Sequence, residues 1–202
     1  MGLLVGKQIS YPSFVLKDRI KIEEETEYRF YLDIPFNIDN DRVVVVIMKN
    51  PSSADSLKCD MTISKVCNAA KNNQYGRVII MNLFPIRATY ASDVVKFYSY
   101  HDYDKQMKKN LDLIIKVSKG KDVVFAWGTN TIGGKRNFPN NYDDAIRNVV
   151  NSVTSRTFYA DRCICNNKNS ICYANNQNNQ HNDVRYPKHG LRWSYTSKFI
   201  PY

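Results

Sequence analysis

The stretch Arg42-Val-Val-Val-Val-Ile-Met-Lys-Asn-Pro-Ser-Ser-Ala-Asp55 decides how this chain reads. Six apolar residues in succession, four of them valine, are what a strand buried on both faces requires, as in a parallel sheet covered by helices. The polar loop that follows then lies at the carboxyl end of that strand, the edge where open α/β sheets bind their ligands. Asn50, Ser52, Ser53 and Asp55 become candidate site residues on that ground. The bland alternative is a strand-to-helix turn in which Asp55 or Ser56 caps the next helix.

The same grammar recurs along the chain. Arg77-Val-Ile-Ile-Met-Asn-Leu83 is a second apolar run that ends in an amide, and Asp122-Val-Val-Phe-Ala-Trp-Gly128 is a third that ends in Trp-Gly. Residues 61–72 carry Ile63, Val66, Cys67 and Ala70 at helical spacing, and 103–119 carry Met107, Leu111, Ile114, Ile115 and Val117 with lysines opposite. Residues 139–154 give a third helix and 157–160 a fourth strand. Strands alternating with helices predict right-handed crossovers and an α/β fold, a three-layer α/β/α sandwich around a mainly parallel four-stranded sheet. One domain is expected over 1–202. It comprises an N-terminal extension (1–40), in which Phe14-Val-Leu16 and Tyr28–Ile34 read as short antiparallel strands, an α/β core (41–160), and a polar, basic C-terminal segment (161–202). Eight Asn and two Gln crowd into residues 166–182, which reads as a polar loop.

A formal charge of +10, from 29 Lys and Arg against 19 Asp and Glu, favours an anionic partner, a nucleic acid or nucleotide. Much of it, including Lys105, Lys108, Lys109, Lys116, Lys119 and Lys121, is equally readable as solvated helix face. Near the C-terminus Arg185, Lys188, His189, Arg192 and Lys198 interleave with Tyr186, Trp193 and Tyr195, mixing phosphate-binding groups with stacking surfaces. No apolar run approaches the roughly 20 residues of a membrane span and no signal-peptide core precedes the domain, so no membrane partner is expected. Five cysteines, an odd number, suit free thiols and a cytoplasmic location better than a disulfide framework. Cys163, Cys165, Cys172, His181 and His189 lack the paired spacing of a zinc site, and neither metal nor cofactor is expected. Nothing in the sequence sets the oligomeric state.

Met48-Lys-Asn-Pro-Ser-Ser-Ala-Asp55, Asp60-Met-Thr-Ile63, Asn82-Leu-Phe-Pro-Ile-Arg-Ala-Thr89 and Ala126-Trp-Gly128 together resemble domain of unknown function 1643, a bacterial and phage family, over residues 28–160. In motif order that family is similar to the uracil-DNA glycosylase superfamily, whose fold is an α/β/α sandwich with a four-stranded parallel sheet. The resemblance implies that Asn50 positions an attacking water, with Asp55 and Asp60 as candidate catalytic carboxylates, and that Asn82 reads the Watson–Crick edge of a base. It implies that Phe84, Arg87, Trp127 and Gly128 join Ser52 and Ser53 in a substrate pocket. It places a histidine loop at Lys188-His189-Gly190-Leu191, where His189 stabilises the leaving base and Lys188 and Arg192 contact substrate. The implied function is nucleobase recognition, with hydrolysis of an N-glycosidic bond in DNA or a nucleotide. The alternative is a non-catalytic nucleotide-binding or sequestering protein. Two departures from the glycosylase pattern bear on the choice. Ser52 follows Pro51 where an aromatic residue or glycine is expected, and Gly190-Leu191 replaces Pro-Ser after the histidine. An amide is no general base, so Asn50 orients water and does not deprotonate it.

Overall fold

The computed structural model describes residues 7–88, 90–128, 131–132, 135–136, 140–160, 189–190 and 193–201. Lys188, Arg192, Cys163, Cys165, Cys172, His181 and the Asn-rich stretch lie outside the described residues. The chain forms β1 (Lys21–Glu24), β2 (Arg29–Pro35), β3 (Val43–Met48), α1 (Met61–Asn72), β4 (Arg77–Asn82), α2 (Ala91–Phe97), α3 (Tyr103–Ser118) and β5 (Asp122–Phe125). The short β6 (Thr131–Ile132) and β7 (Lys135–Arg136) follow, then α4 (Asn140–Ser152), β8 (Thr157–Ala160) and β9 (Phe199–Pro201). Seven strands make one mixed sheet in the order β1-β2-β4-β3-β5-β8-β9, while β6 and β7 pair separately. The pairings of β3 with β4, β3 with β5, and β5 with β8 are parallel, and those of β1, β2 and β9 are antiparallel.

The valine run is continuous because both faces of β3 are covered. Val45 and Ile47 join Ile79, Met81, Val123 and Phe125 in a core with Val94 and Phe97 of α2, Ile114 of α3, and Tyr142, Ala145, Ile146 and Val149 of α4. Val44, Val46 and Met48 face the other way, with Val78, Ile80 and Val124, against Ile63, Val66, Cys67, Ala69 and Ala70 of α1. Each fully buried valine or isoleucine side chain contributes about 1.5–3 kcal/mol, and alternation shares that gain between two helical layers.

The sheet is wider than the four strands the spacing predicts. β2 is no separate extension, since Phe30, Leu32 and Ile34 are fully buried and the strand docks antiparallel on β4 through pairs such as Leu32 with Ile80. Phe14 to Leu16 is a turn and not a strand. Its apolar character serves packing, with Val15 buried and the Phe14 ring edge-on to Phe36 at 5.3 Å. Among the described residues, no helix is long and apolar enough to cross a membrane.

Candidate functional site

β3 and β5 are neighbours, but the chain leaves them towards opposite faces, to α1 after β3 and to α4 after β5. Such a switch point is where open α/β sheets bind ligands in a crevice at the carboxyl ends of the strands, and here it lies between the loops after Met48 and after Phe125. The C-terminal segment returns to this crevice. A Cβ added to Gly128 would sit 2.9 Å from the His189 Cβ, and one added to Gly190 would sit 3.1 Å from Val66 and 3.6 Å from the Met48 sulfur. Gly128 also holds a positive φ of 77°. Close approach together with the positive φ calls for glycine at Gly128 and brings His189 against the end of β5, while Gly190 is packed tightly on Val66.

The loop from Asn50 to Asp60 is pinned from several sides. Asn50 Nδ2 donates to the Ala88 carbonyl at 2.5 Å and to the Pro51 carbonyl at 3.1 Å. Asp60, and neither Asp55 nor Ser56, caps α1, accepting from the Ile63 amide at 2.9 Å, and it also accepts from the Ser52 hydroxyl. Asp55 folds its own turn instead, accepting from the amides of Leu57 and Lys58 at 2.7 and 2.8 Å. Ser53 offers its carbonyl to Gln8 Nε2 at 2.7 Å. Arg87 donates to the carbonyls of Ser52 and Ala54 at 3.1 and 3.4 Å and to the Glu24 carboxylate. Beneath it lies Arg29, wholly buried, whose Nη1 donates to the Ala54 carbonyl at 2.6 Å while Nε and Nη2 have no partner. Burial, reinforced by the charge of Arg87, pushes the Arg29 guanidinium down to about 10.

Asn82 closes β4 opposite Met48. Its main-chain carbonyl accepts from Asn110 Nδ2 at 2.8 Å, but its side chain is fully buried with neither Nδ2 nor Oδ1 bonded. The alternation of β4 puts this amide on the face that α1 covers. On the other face Phe84 and Trp127 are wholly buried, Phe84 stacked on Tyr142 at 6.0 Å and Trp127 against Phe125 at 4.5 Å. The structure thus brings Asn50, Ser52, Asp60, Asn82, Trp127, Gly128 and His189 to one edge, and turns Asp55 into a local brace.

Sequence reasoning passed over Arg29, Asn110 and Lys49. Lys49 is half-buried between the β3 run and Asn50, with Nζ 5.2 Å above the centre of the Tyr142 ring. Burial pushes its ammonium down to about 8. A lysine closing a valine run was the available signal. The exposed face of α3, by contrast, alternates Asp104, Lys108, Asp112 and Lys116 four residues apart, which neutralises part of the lysine-rich helix.

A family model described as "Protein of unknown function (DUF1643)" matches residues 29–183. The chain belongs to the DUF1643 family. No curated protein and no solved structure matches it. In this DUF1643 member the match begins at Arg29, the buried arginine under the loop, and contains Asn50, Asp60, Asn82 and Trp127, while His189 lies beyond its end.

Proposed function

We propose that the crevice is a nucleobase-reading pocket, on a sandwich akin to that of the uracil-DNA glycosylases, acting on a base carried by a nucleic acid or a nucleotide in the cytoplasm. Asn82 carries this reading: a fully buried amide at the end of β4 with both polar atoms unpartnered. Leaving such atoms unpaired costs about 1–3 kcal/mol each, and a pyrimidine's O4/N3–H edge is the complementary acceptor and donor. The run of parallel strands β4-β3-β5-β8 and the arrival of His189 at Gly128 support the same likeness. Asn50, its Nδ2 committed to two carbonyls, presents Oδ1 to an attacking water. The water oxygen then bonds to C1′ as the base departs with the glycosidic electron pair, His189 stabilises the charge that forms on the base, and the proton the water gives up passes through solvent to that base.

A second reading, capture without cleavage, is favoured by Asp60, whose carboxylate is already committed to the α1 cap and to Ser52. Incubation with DNA and nucleotides bearing uracil and modified bases, with chromatography of released base and calorimetry of binding, separates the two. Release of free base identifies a hydrolase. Binding that weakens from about 50 to 200 mM salt, without release, identifies capture. Neither outcome, from folded protein, overturns both readings.

A further inference from the structure

We propose that the exposed face carrying Leu57, Met61 and Tyr195 is a stacking platform for the unpaired bases of a single-stranded polynucleotide. This rests on the base-reading pocket above and makes a strand the carrier of the base. α1 begins at the carboxyl edge of the sheet, where Met61 follows the Asp60 cap. The next residue, Thr62, lies against the returning C-terminal segment, since a Cβ added to Gly190 would sit 3.4 Å from the Thr62 Cγ2. Tyr195 runs along the same helix. Its carbonyl accepts from Asn72 Nδ2 at 2.6 Å near the far end of α1, and its hydroxyl donates to the Met61 sulfur at 3.5 Å at the near end. Met61, Lys65, Asn68 and Asn72 follow one another at three- and four-residue steps, so the tyrosine covers a single stripe and points along it to the site edge.

The platform is apolar and left in water. Leu57 is 78% exposed, Met61 44% and Tyr195 46%. Leu57 belongs to the loop that joins Asn50 to Asp60, in a turn fixed by Asp55, which accepts from the Leu57 and Lys58 amides. Single exposed apolar side chains are ordinary, but Met61 and Tyr195 touch each other, and all three stand on the elements that reach the site edge. Charge decides what fits them. Residues 56–72 and 193–201 carry Lys58, Lys65, Lys71 and Lys198 against one acid, Asp60, which is buried and already accepts from Ser52 and the Ile63 amide. On α3 the lysines meet acids instead: Lys109 pairs with Glu25 at 2.7 Å and Glu23 at 3.8 Å, and Asp112 shares its groove with Lys105, Lys108 and Lys116. Flat apolar surface in a field of cations suits a partner with open base faces and a row of phosphates. A second copy of this chain would set lysines against lysines, and a duplex keeps its base faces stacked inside.

The test is fluorescence anisotropy of the full chain with a labelled oligodeoxyadenylate of about 12 nucleotides holding one central uracil, offered as the single strand and as its duplex. The strand should bind at least about tenfold more tightly than the duplex, and Tyr195→Ala should weaken it by about tenfold or more, while Tyr195→Phe, which keeps the ring, restores it. Lys58→Glu should weaken the strand much more than Lys108→Glu on α3, although both change the net charge equally. A duplex bound as tightly as the strand, wild-type affinity in folded Tyr195→Ala, or equal losses in the two lysine variants would overturn the proposal. So would a dimer in sedimentation velocity that Tyr195→Ala dissociates. The pocket is read separately, with the same strand lacking uracil. Tyr195-dependent binding that shows no preference for uracil keeps the platform and removes the base-reading pocket, whereas uracil preference with wild-type affinity in Tyr195→Ala keeps the pocket and removes the platform.

Discussion

Asp122 and Asn82 stand at opposite edges of the same parallel strands and are served differently by their surroundings. Asp122, at the amino end of β5, accepts from Arg156 at 2.8 and 2.9 Å and from the Tyr75 hydroxyl at 2.6 Å, with Arg42 at 4.0 Å. Burial and the bonded Asp122 carboxylate hold the Tyr75 hydroxyl above its ordinary range, and the same carboxylate raises Arg156. At the carboxyl edge the Asn82 amide, Arg29 Nε and Nη2, and Asn110 Oδ1 are buried without partners. Buried polar groups are ordinarily satisfied, so each orphan at this edge is a place where the fold gives up stability, as is Asp33 Oδ1 on β2 beside the start of β4. The paired cluster around Asp122 ties the amino edge together, and the orphaned groups at the carboxyl edge are those the proposed base-reading pocket would satisfy.

The contrast is tested first where its cost is largest. Lys49 titrates near 8 in the folded chain and near 10.4 unfolded, so at pH 7 its charged form is destabilising, and Lys49→Met should gain about 2–3 kcal/mol. Between those values the unfolded state binds more protons, wild-type stability rises with pH, and the advantage of the variant should shrink from pH 8 to about 10 in urea denaturation series. A gain that ignores pH would show that the burial cost has been misassigned. Asn82→Leu, nearly isosteric, removes two orphaned atoms and should raise stability by about 1–3 kcal/mol while abolishing nucleoside binding by calorimetry. Asp60→Ala should lower stability by about 0.5–2 kcal/mol in thermal melts through loss of the α1 cap, whatever becomes of binding. Tyr75→Phe, at the paired edge, should cost about 1 kcal/mol and leave binding untouched. Equal stability losses for Asn82→Leu and Tyr75→Phe would erase the distinction between the edges.

How legible these edges were in the sequence depends on how local their causes are. The four valines of β3 and the helical spacing of α1, α3 and α4 report burial that each segment makes for itself, so they could be read directly. The place of β2 beside β4 could not, because antiparallel docking joins Leu32 to Ile80 across nearly fifty residues. β9 likewise reaches β8 across some forty residues, and α2 is short and carries adjacent β-branched residues, Val94 and Val95. Asn50 and Asn82 were visible as amides that end apolar runs. The choice of Asp60 over Asp55 as the cap turned on the length of the loop, which the residue types do not fix. Arg29 gave no local sign at all, since an arginine in a strand reads as exposed until the loop that covers it is in place.

The central claim concerns one side-chain amide, and nitrogen-edited NMR of uniformly labelled protein observes it directly. The Asn82 Nδ2 resonances, assigned by their loss in Asn82→Leu, should shift downfield and gain protection from solvent exchange as a uracil nucleoside or a base-containing oligonucleotide is titrated to saturation. Saturated binding that leaves those resonances unmoved would place the ligand elsewhere and contradict the account.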